Sequence, residues 1–249
     1  RRNSLASKIL TAFLNYYGNR YLNNRLQTFV QQLDDEDADL EVDPHRINPD
    51  SGKVDTKKNM KIVLKKTEEL LKFILDAPNE VPYEIRESNA ILAQSVARVF
   101  AKENKGNAVV HTAVGGAMFL RFICPALTSP HLYGLLKSAP KRKAHRTLMI
   151  VTKILQNLAN GVEFGKKEDF MTSANKLLKN QKKPFVKFVE GVIAQSLNPS
   201  MGDDVEQSAM LWSLYNLHGY LQKNWTKIIT DMSKTDATPL PFSILVGSD

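Results

Sequence analysis

The chain reads as all-α, and three observations carry that reading. Apolar residues recur three and four positions apart in most segments, the spacing that lines one side of a helix. No segment shows the strict apolar–polar alternation of a half-buried strand. The stretch Gly115-Gly116-Ala117-Met118-Phe119-Leu120-Arg121-Phe122-Ile123-Cys124-Pro125-Ala126-Leu127 is apolar on every side of a helical projection, as a helix buried all round must be. Its glycines and alanines leave room for neighbouring helices to come close. Its single charge, Arg121, is expensive there unless carboxylates or carbonyls satisfy the guanidinium. It is either a strut tied to a neighbouring loop or a group that reaches a binding surface. Pro125 has no backbone N–H, so the helix is expected to stop or break at that point.

The elements follow in order. Ser4 is a fitting N-cap for a helix through Leu5, Ile9, Leu10, Phe13, Leu14 and Tyr17. Gly18 is expected to punctuate it, with a second helix from about Arg20 to Leu33 closed by the acidic run Asp34–Asp37. Pro44 and Pro49 forbid a helix across Glu41-Val42-Asp43-Pro44 to Asn48-Pro49, which reads as an ordered loop. Periodicity then predicts helices from near Lys57 to Leu75, from Tyr83 to about Lys102, and from about Ala108 to Ile123. The basic run Lys141-Arg142-Lys143-Ala144-His145-Arg146 is either a solvated loop and first helical turn or an electrostatic collar for an acidic partner.

Thr147 to Val162 is the most legible helix. Val151, Ile154, Leu155, Leu158 and Val162 share one face, with Lys153, Gln156, Asn157 and Asn160 opposite. That polar stripe has no carboxylate, whereas a solvated face usually mixes Glu and Lys four apart. Amide groups suit hydrogen bonding to a partner, so the stripe reads either as recognition or as plain solvation. Further helices are expected near Phe170–Asn180 and Pro184–Gln195, then a linker at Asn198–Gly202. Val205 to Met232 forms one long amphipathic stretch before an irregular tail. The expected organisation is a core over 1–197, with 198–249 as a linker and an extra helical segment packing on it.

Composition narrows the classes. A chain of 249 residues with 43% hydrophobic residues can bury a real core and is not disordered. The lone Cys124 cannot form an internal disulfide, which predicts a reducing, cytoplasmic setting. No apolar run is expected to reach bilayer-spanning length. The net charge of +8 points to an acidic partner, a membrane surface or nucleic acid. Basic residues are not interleaved with aromatics as in single-strand binders, and no nucleic-acid motif is present, so nucleic acid is the least favoured. The five histidines are far apart with no ligand spacing, no phosphate loop or nucleophile elbow is present, and no metal site is expected. Any chemistry must come from placing charge on another molecule.

Several of these segments together resemble Ras GTPase-activating domains of the neurofibromin-like kind. Phe119-Leu120-Arg121-Phe122-Ile123-Cys124-Pro125-Ala126-Leu127 with Ser129-Pro130 is similar to that family's signature. Lys153-Ile154-Leu155-Gln156-Asn157-Leu158-Ala159-Asn160 resembles its second block, and Phe164-Gly165-Lys166-Lys167-Glu168 the block after it. Glu41-Val42-Asp43-Pro44 resembles a structural element of the family. The family's finger loop reads Phe-Arg-x-Asn/Thr-Ser/Thr-Leu-Ala-Ser, and Arg1-Arg2-Asn3-Ser4-Leu5-Ala6-Ser7 fits it from the arginine onward. The chain opens on that arginine as though cut from something longer, with the family's first helices missing.

The resemblance implies an irregular all-helical domain, with an extra helical segment after about residue 198, that accelerates GTP hydrolysis by a Ras-family small GTPase. Arg1 is implied as the arginine finger and Arg121 as the stabiliser of the finger loop. Asn3, Ser4, Leu120, Lys153, Gln156, Asn157, Asn160 and Lys167 are implied to face the GTPase. The domain needs no cofactor of its own, because GTP and Mg²⁺ arrive with the GTP-bound partner. It is expected to act as a monomer, brought to the inner face of the plasma membrane through that partner. The alternative is a non-catalytic scaffold of the same fold that grips a small GTPase; scaffolds of that kind lack the finger arginine.

Overall fold

Helices supply all the regular structure among the described residues of the computed structural model, as the periodicity predicts. The structure describes residues 5–47, 54–101 and 106–194, and beyond them Asn224, Thr226 and Thr230. Ala6–Asn198 forms one compact unit. The other unit joins Arg1–Leu5 to Pro199–Asp249, and of it only Leu5, Asn224, Thr226 and Thr230 are described. There the Thr230 hydroxyl donates to the Thr226 carbonyl at 2.7 Å, one helical turn back. The rest of the expected C-terminal helical segment lies outside the described residues.

The first helix, α1 (Leu5–Glu36), runs straight past Gly18, where a break was expected. The glycine is a packing device, not a stop signal. A Cβ built on it would lie 2.6 Å from Phe122 Cε2 and 3.0 Å from Ile85 Cδ1. Close approach of α1 to the centre of the molecule thus outweighs the modest helix cost of one glycine. Asp37, the one described non-glycine residue with positive φ (41°), turns the chain out of the helix. Carboxylates at a helix C-terminus oppose the helix dipole, and two lysines compensate. Lys66 Nζ lies 3.0 Å from Glu36, while Lys141 donates to Asp34 through its backbone N–H (2.7 Å, to Oδ1) and its ammonium (2.9 Å, to the carbonyl).

A 3₁₀ turn at Pro44–Arg46 leads to α2 (Thr56–Leu75), capped by Asp55, which accepts from the Lys58 N–H at 3.0 Å. After a second 3₁₀ turn (Pro78–Glu80) come α3 (Tyr83–Val99) and α4 (Gly106–Gly115). The chain then widens into a π-helical segment, Gly116–Ile123, and returns to α geometry in α5 (Cys124–Thr128). The helix therefore does not end at Pro125. The Cys124 N–H bonds back five residues to the Phe119 carbonyl, so the wider turn precedes the proline and Pro125 enters at the start of α5, where an N–H is dispensable. This run, Asn107–Thr128, is long and apolar enough by length and composition to cross a membrane (mean hydropathy 1.4), contrary to expectation. From Val114 onward it is instead packed largely in the core, with Val114, Ala117, Met118, Phe119, Phe122 and Ile123 buried. Phe119 meets Phe185 and Phe188 at ring distances of 5.2 and 6.2 Å, and Phe122 stacks on Tyr21 at 6.2 Å.

A 3₁₀ turn at Pro130–Tyr133 precedes α6 (Arg142–Asn160), which packs against α2, α4, α5, α7 and the π segment. Gly161 ends α6 in the left-handed conformation (φ 66°), so Val162 falls outside the helix and is exposed rather than on its apolar face. The 3₁₀ stretch Lys166–Ala174 follows, then α7 (Asn175–Ala194), continuous where two helices were expected. Pro184 is tolerated inside α7 because it and Asn180, whose carbonyl loses its bond, both lie on the exposed side.

The costly buried arginine is not Arg121 but Arg25 on α1, 6% exposed. Its guanidinium donates to the Phe73 carbonyl (3.1 Å), pairs with Glu80 and lies over the Phe73 ring at 4.4 Å. It ties α1 to the end of α2 and the turn beyond. Beside it, burial pushes the Tyr21 phenol well above its ordinary range, against the pull of Arg25.

Candidate functional site

Every side chain that packs into the core leaves its neighbours on the helix with somewhere else to be. On the π segment, Phe119, Phe122 and Ile123 are fully buried, which leaves Leu120 and Arg121 half-buried on the segment's open side. Arg121 makes no hydrogen bond or ion pair to another described residue. The loop that it is expected to brace, with Arg1, Asn3 and Ser4, lies outside the described residues.

On α6 the expected division of faces is present. Ile154, Leu155, Leu158 and Ala159 are buried, while Lys153, Gln156, Asn157 and Asn160 form a half-buried stripe. The side-chain amides of Gln156, Asn157 and Asn160 have no hydrogen-bond partner among the described residues. These amides keep contact with solvent, and their unspent donors and acceptors are available to a partner.

Lys153 is different. Its ammonium pairs with Glu168, so the carboxylate missing from the α6 stripe comes from the next segment. Glu168 sits at a kink in the Lys166–Ala174 stretch, with non-helical backbone (φ −139°, ψ 54°). The two side chains are 42% and 34% exposed, and an ion pair so open to water contributes only about 0–1 kcal/mol. The pair therefore orients Lys153 and gives it up cheaply to a stronger acid. Lys167, next to the kink, is exposed. The kink is held in place by Phe164, buried, whose N–H and C=O both bond to the Asn175 side chain (2.9 and 3.0 Å). Glu168 and Asn175 were not singled out from the sequence. Their roles depend on contacts between segments, and only the absence of an acid on the α6 stripe hinted at the first.

The basic run at the start of α6 is largely committed within the fold. Lys141 is tied to Asp34, His145 Nε2 lies 3.2 Å from the Thr128 carbonyl, and Arg146 grips Glu41 with two hydrogen bonds of 2.8 Å. Arg142 and Lys143 remain exposed. Glu41 also accepts from the backbone N–H groups of Val42 and Asp43, so this loop is structural. Burial alone would raise the Glu41 pKa; Arg146 and the two backbone donors outweigh it and hold the carboxyl below its ordinary value.

A depressed carboxylate pKa stabilises the fold above the unfolded-state value, about 4.3, and that contribution fades as pH falls through the folded value. Glu41→Gln is therefore expected to destabilise the protein by about 1–3 kcal/mol at neutral pH, leaving Arg146 short of its partner. The gap between wild type and variant should narrow steadily below about pH 4. Urea unfolding at neutral and acid pH measures both; a gap independent of pH would contradict the assignment.

Among the described residues no group of three His, Cys, Asp or Glu side chains is placed to hold a metal ion. The arrangement offers cations, amides and a half-buried guanidinium, the equipment for receiving an anionic or hydrogen-bonding protein surface.

Comparison with known proteins agrees with that equipment. A family profile described as GTPase-activator protein for Ras-like GTPase matches residues 1–160. Among similar proteins, the probable Ras GTPase-activating-like protein ngap of Dictyostelium discoideum is 30% identical over 96% of the chain and 27% of its own length. The Ras GTPase-activating protein nGAP of Homo sapiens is 32% identical over 73% of the chain and 15% of its own length. Neurofibromin-A of Dictyostelium discoideum is 32% identical over 80% of the chain and 22% of its own length. The chain thus spans about a quarter or less of the length of these relatives. It belongs to the family of GTPase-activator proteins for Ras-like GTPases.

Proposed function

We propose that the chain stimulates GTP hydrolysis by a GTP-bound Ras-family protein by inserting Arg1 into that protein's active site. The observation that carries this reading is the family match over residues 1–160, and the choice of Arg1 is supported by the resemblance of Arg1–Ser7 to the family's finger loop. Phosphoryl transfer passes through a loose transition state with negative charge spread over the transferred group and the leaving oxygen. A guanidinium set against those oxygens, with water displaced, lowers the barrier without itself reacting. GTP, Mg²⁺ and the attacking water belong to the GTPase.

The chain's other residues hold the partner in place. Arg121 braces the finger loop from the π segment, with Leu120 beside it against the GTPase. Asn3 and Ser4 flank the finger. Gln156, Asn157 and Asn160 supply hydrogen bonds from α6, and Lys153 and Lys167 supply charge. The net charge of +8 favours encounter with an acidic partner surface. The domain acts as a monomer in the cytoplasm, which suits its single, buried Cys124. The scaffold alternative has one argument against it, the arginine at position 1.

Lys153 separates binding from chemistry. Lys153→Ala is expected to raise the chain concentration needed for half-maximal stimulation about tenfold or more, with the rate at saturation within a few-fold of wild type, because it removes binding common to ground and transition states. Hydrolysis of GTP by a Ras-family protein, titrated with chain, reads both quantities. A loss confined to the saturating rate would place Lys153 in the chemistry instead.

A further inference from the structure

Helix α7 carries a row of charge that the site above does not use. In helical projection Lys176, Lys179, Lys183 and Lys187 fall within about 80° of one another, and all four are exposed. Lys182 is exposed on the adjoining flank. The opposite side is the core face, with Leu177, Leu178, Phe185, Phe188, Val189 and Val192 buried. At helical rise the row spans about 16 Å.

Little within the fold offsets this charge. Lys179 lies 3.6 Å from Glu163, both more than half exposed, and Glu190, the one carboxylate on α7, closes the row one turn beyond Lys187, 3.2 Å from His111. Like charges three and four apart destabilise a helix, yet here they recur at 176–179, 179–183 and 183–187. Helix α2 mixes its signs instead, pairing Lys65 with Glu69. Its acids Glu68, Glu69 and Asp76 line a groove against Gln181 and Pro184; in helical projection Pro184 lies about 60° from Lys187 and about 100° from Lys183, so the groove borders one flank of the row.

The row is the convex face of a helix and includes none of the exposed large hydrophobic side chains. It therefore offers no pocket or apolar hot spot for a peptide and no stacking platform for single-stranded nucleic acid. Its cations are all lysines, mobile point charges without the planar fork that reads one phosphate in a fixed geometry. A straight, sign-uniform line of such groups is complementary to negative charge spread over a plane.

We propose that the α7 lysine row docks the chain on an anionic lipid surface, through residues other than those assigned to the GTPase. Each lysine brought within a Debye length of such a surface adds to the attraction, and added salt weakens it.

Co-sedimentation of the whole chain with phosphatidylcholine vesicles, with and without phosphatidylserine, tests this. Wild type is expected to bind the phosphatidylserine vesicles only, and to be released by salt. The K176Q/K183Q/K187Q variant should bind roughly 100-fold more weakly, with a melting temperature no lower than wild type, because all three positions are exposed and their mutual repulsion is removed. R142Q/K143Q, which removes exposed charge elsewhere, should bind within a few-fold of wild type. Equal binding by wild type and the α7 variant, loss in R142Q/K143Q alone, tighter binding to duplex DNA than to vesicles, or no vesicle binding at all would each overturn the proposal. Stimulation of a GTPase in solution without vesicles should be the same for wild type and the α7 variant. A chain that binds vesicles but stimulates no GTPase would leave this proposal standing and remove the functional one.

Discussion

Gly18→Ala is expected to lower stability and GTPase-stimulating activity together, although the substitution adds a better helix former. Alanine in place of glycine in a helix interior is favourable by up to about 1 kcal/mol. The new Cβ, however, meets the Phe122 ring at 2.6 Å from Cε2, and Phe122 is fully buried, stacked on Tyr21, with no open side to move into. Overpacking of that kind costs about 1–3 kcal/mol, sometimes more, and it wins. A fall in melting temperature on the order of 5 °C follows for a domain of this size. The strain falls on one place: Phe122 adjoins Arg121, and α1 begins directly after the segment proposed to carry the finger. The saturating rate should therefore drop more than the binding constant changes. Thermal melts and a titrated hydrolysis assay decide it; a variant as stable and active as wild type would show that α1 can shift without cost.

Arg1→Ala carries the largest expected effect. At saturating chain, stimulated hydrolysis should fall by a factor of roughly 10³–10⁵, while affinity for the GTP-loaded partner stays within a few-fold. Arg1→Lys should recover little of the loss, since an ammonium cannot present two N–H groups in a plane to neighbouring oxygens. Undiminished turnover by Arg1→Ala would remove Arg1 from the chemistry, and Arg2 would then be the residue to test.

What could be read in advance, and what could not, divides on whether one segment or two decides the outcome. The two faces of α6 follow from its own periodicity, so the Lys153–Asn160 stripe was visible in the sequence and is present in the fold. Gly18 looks like a stop signal in isolation; only Phe122, more than a hundred residues on, makes it a crossing point. Pro125 looks like an end, and the π turn that admits it is a property of the helix as packed, not of the proline. Arg25 was passed over for the same reason: its partners, Phe73 and Glu80, lie on other elements. Glu168 reaches Lys153 only because the chain kinks after Phe164 is clasped by Asn175. The proposal of Arg1 as a finger rests on resemblance to a known loop alone, since no periodic signal marks that arginine.

The most direct test of the central claim is single-turnover GTP hydrolysis by a Ras-family protein, with and without a saturating amount of this chain. The account predicts an acceleration on the order of 10³ or more, carried by an arginine supplied in trans. Saturable binding to the GTP-loaded form with no change in hydrolysis rate would contradict it, and would identify the chain as a module that holds a GTPase without activating it.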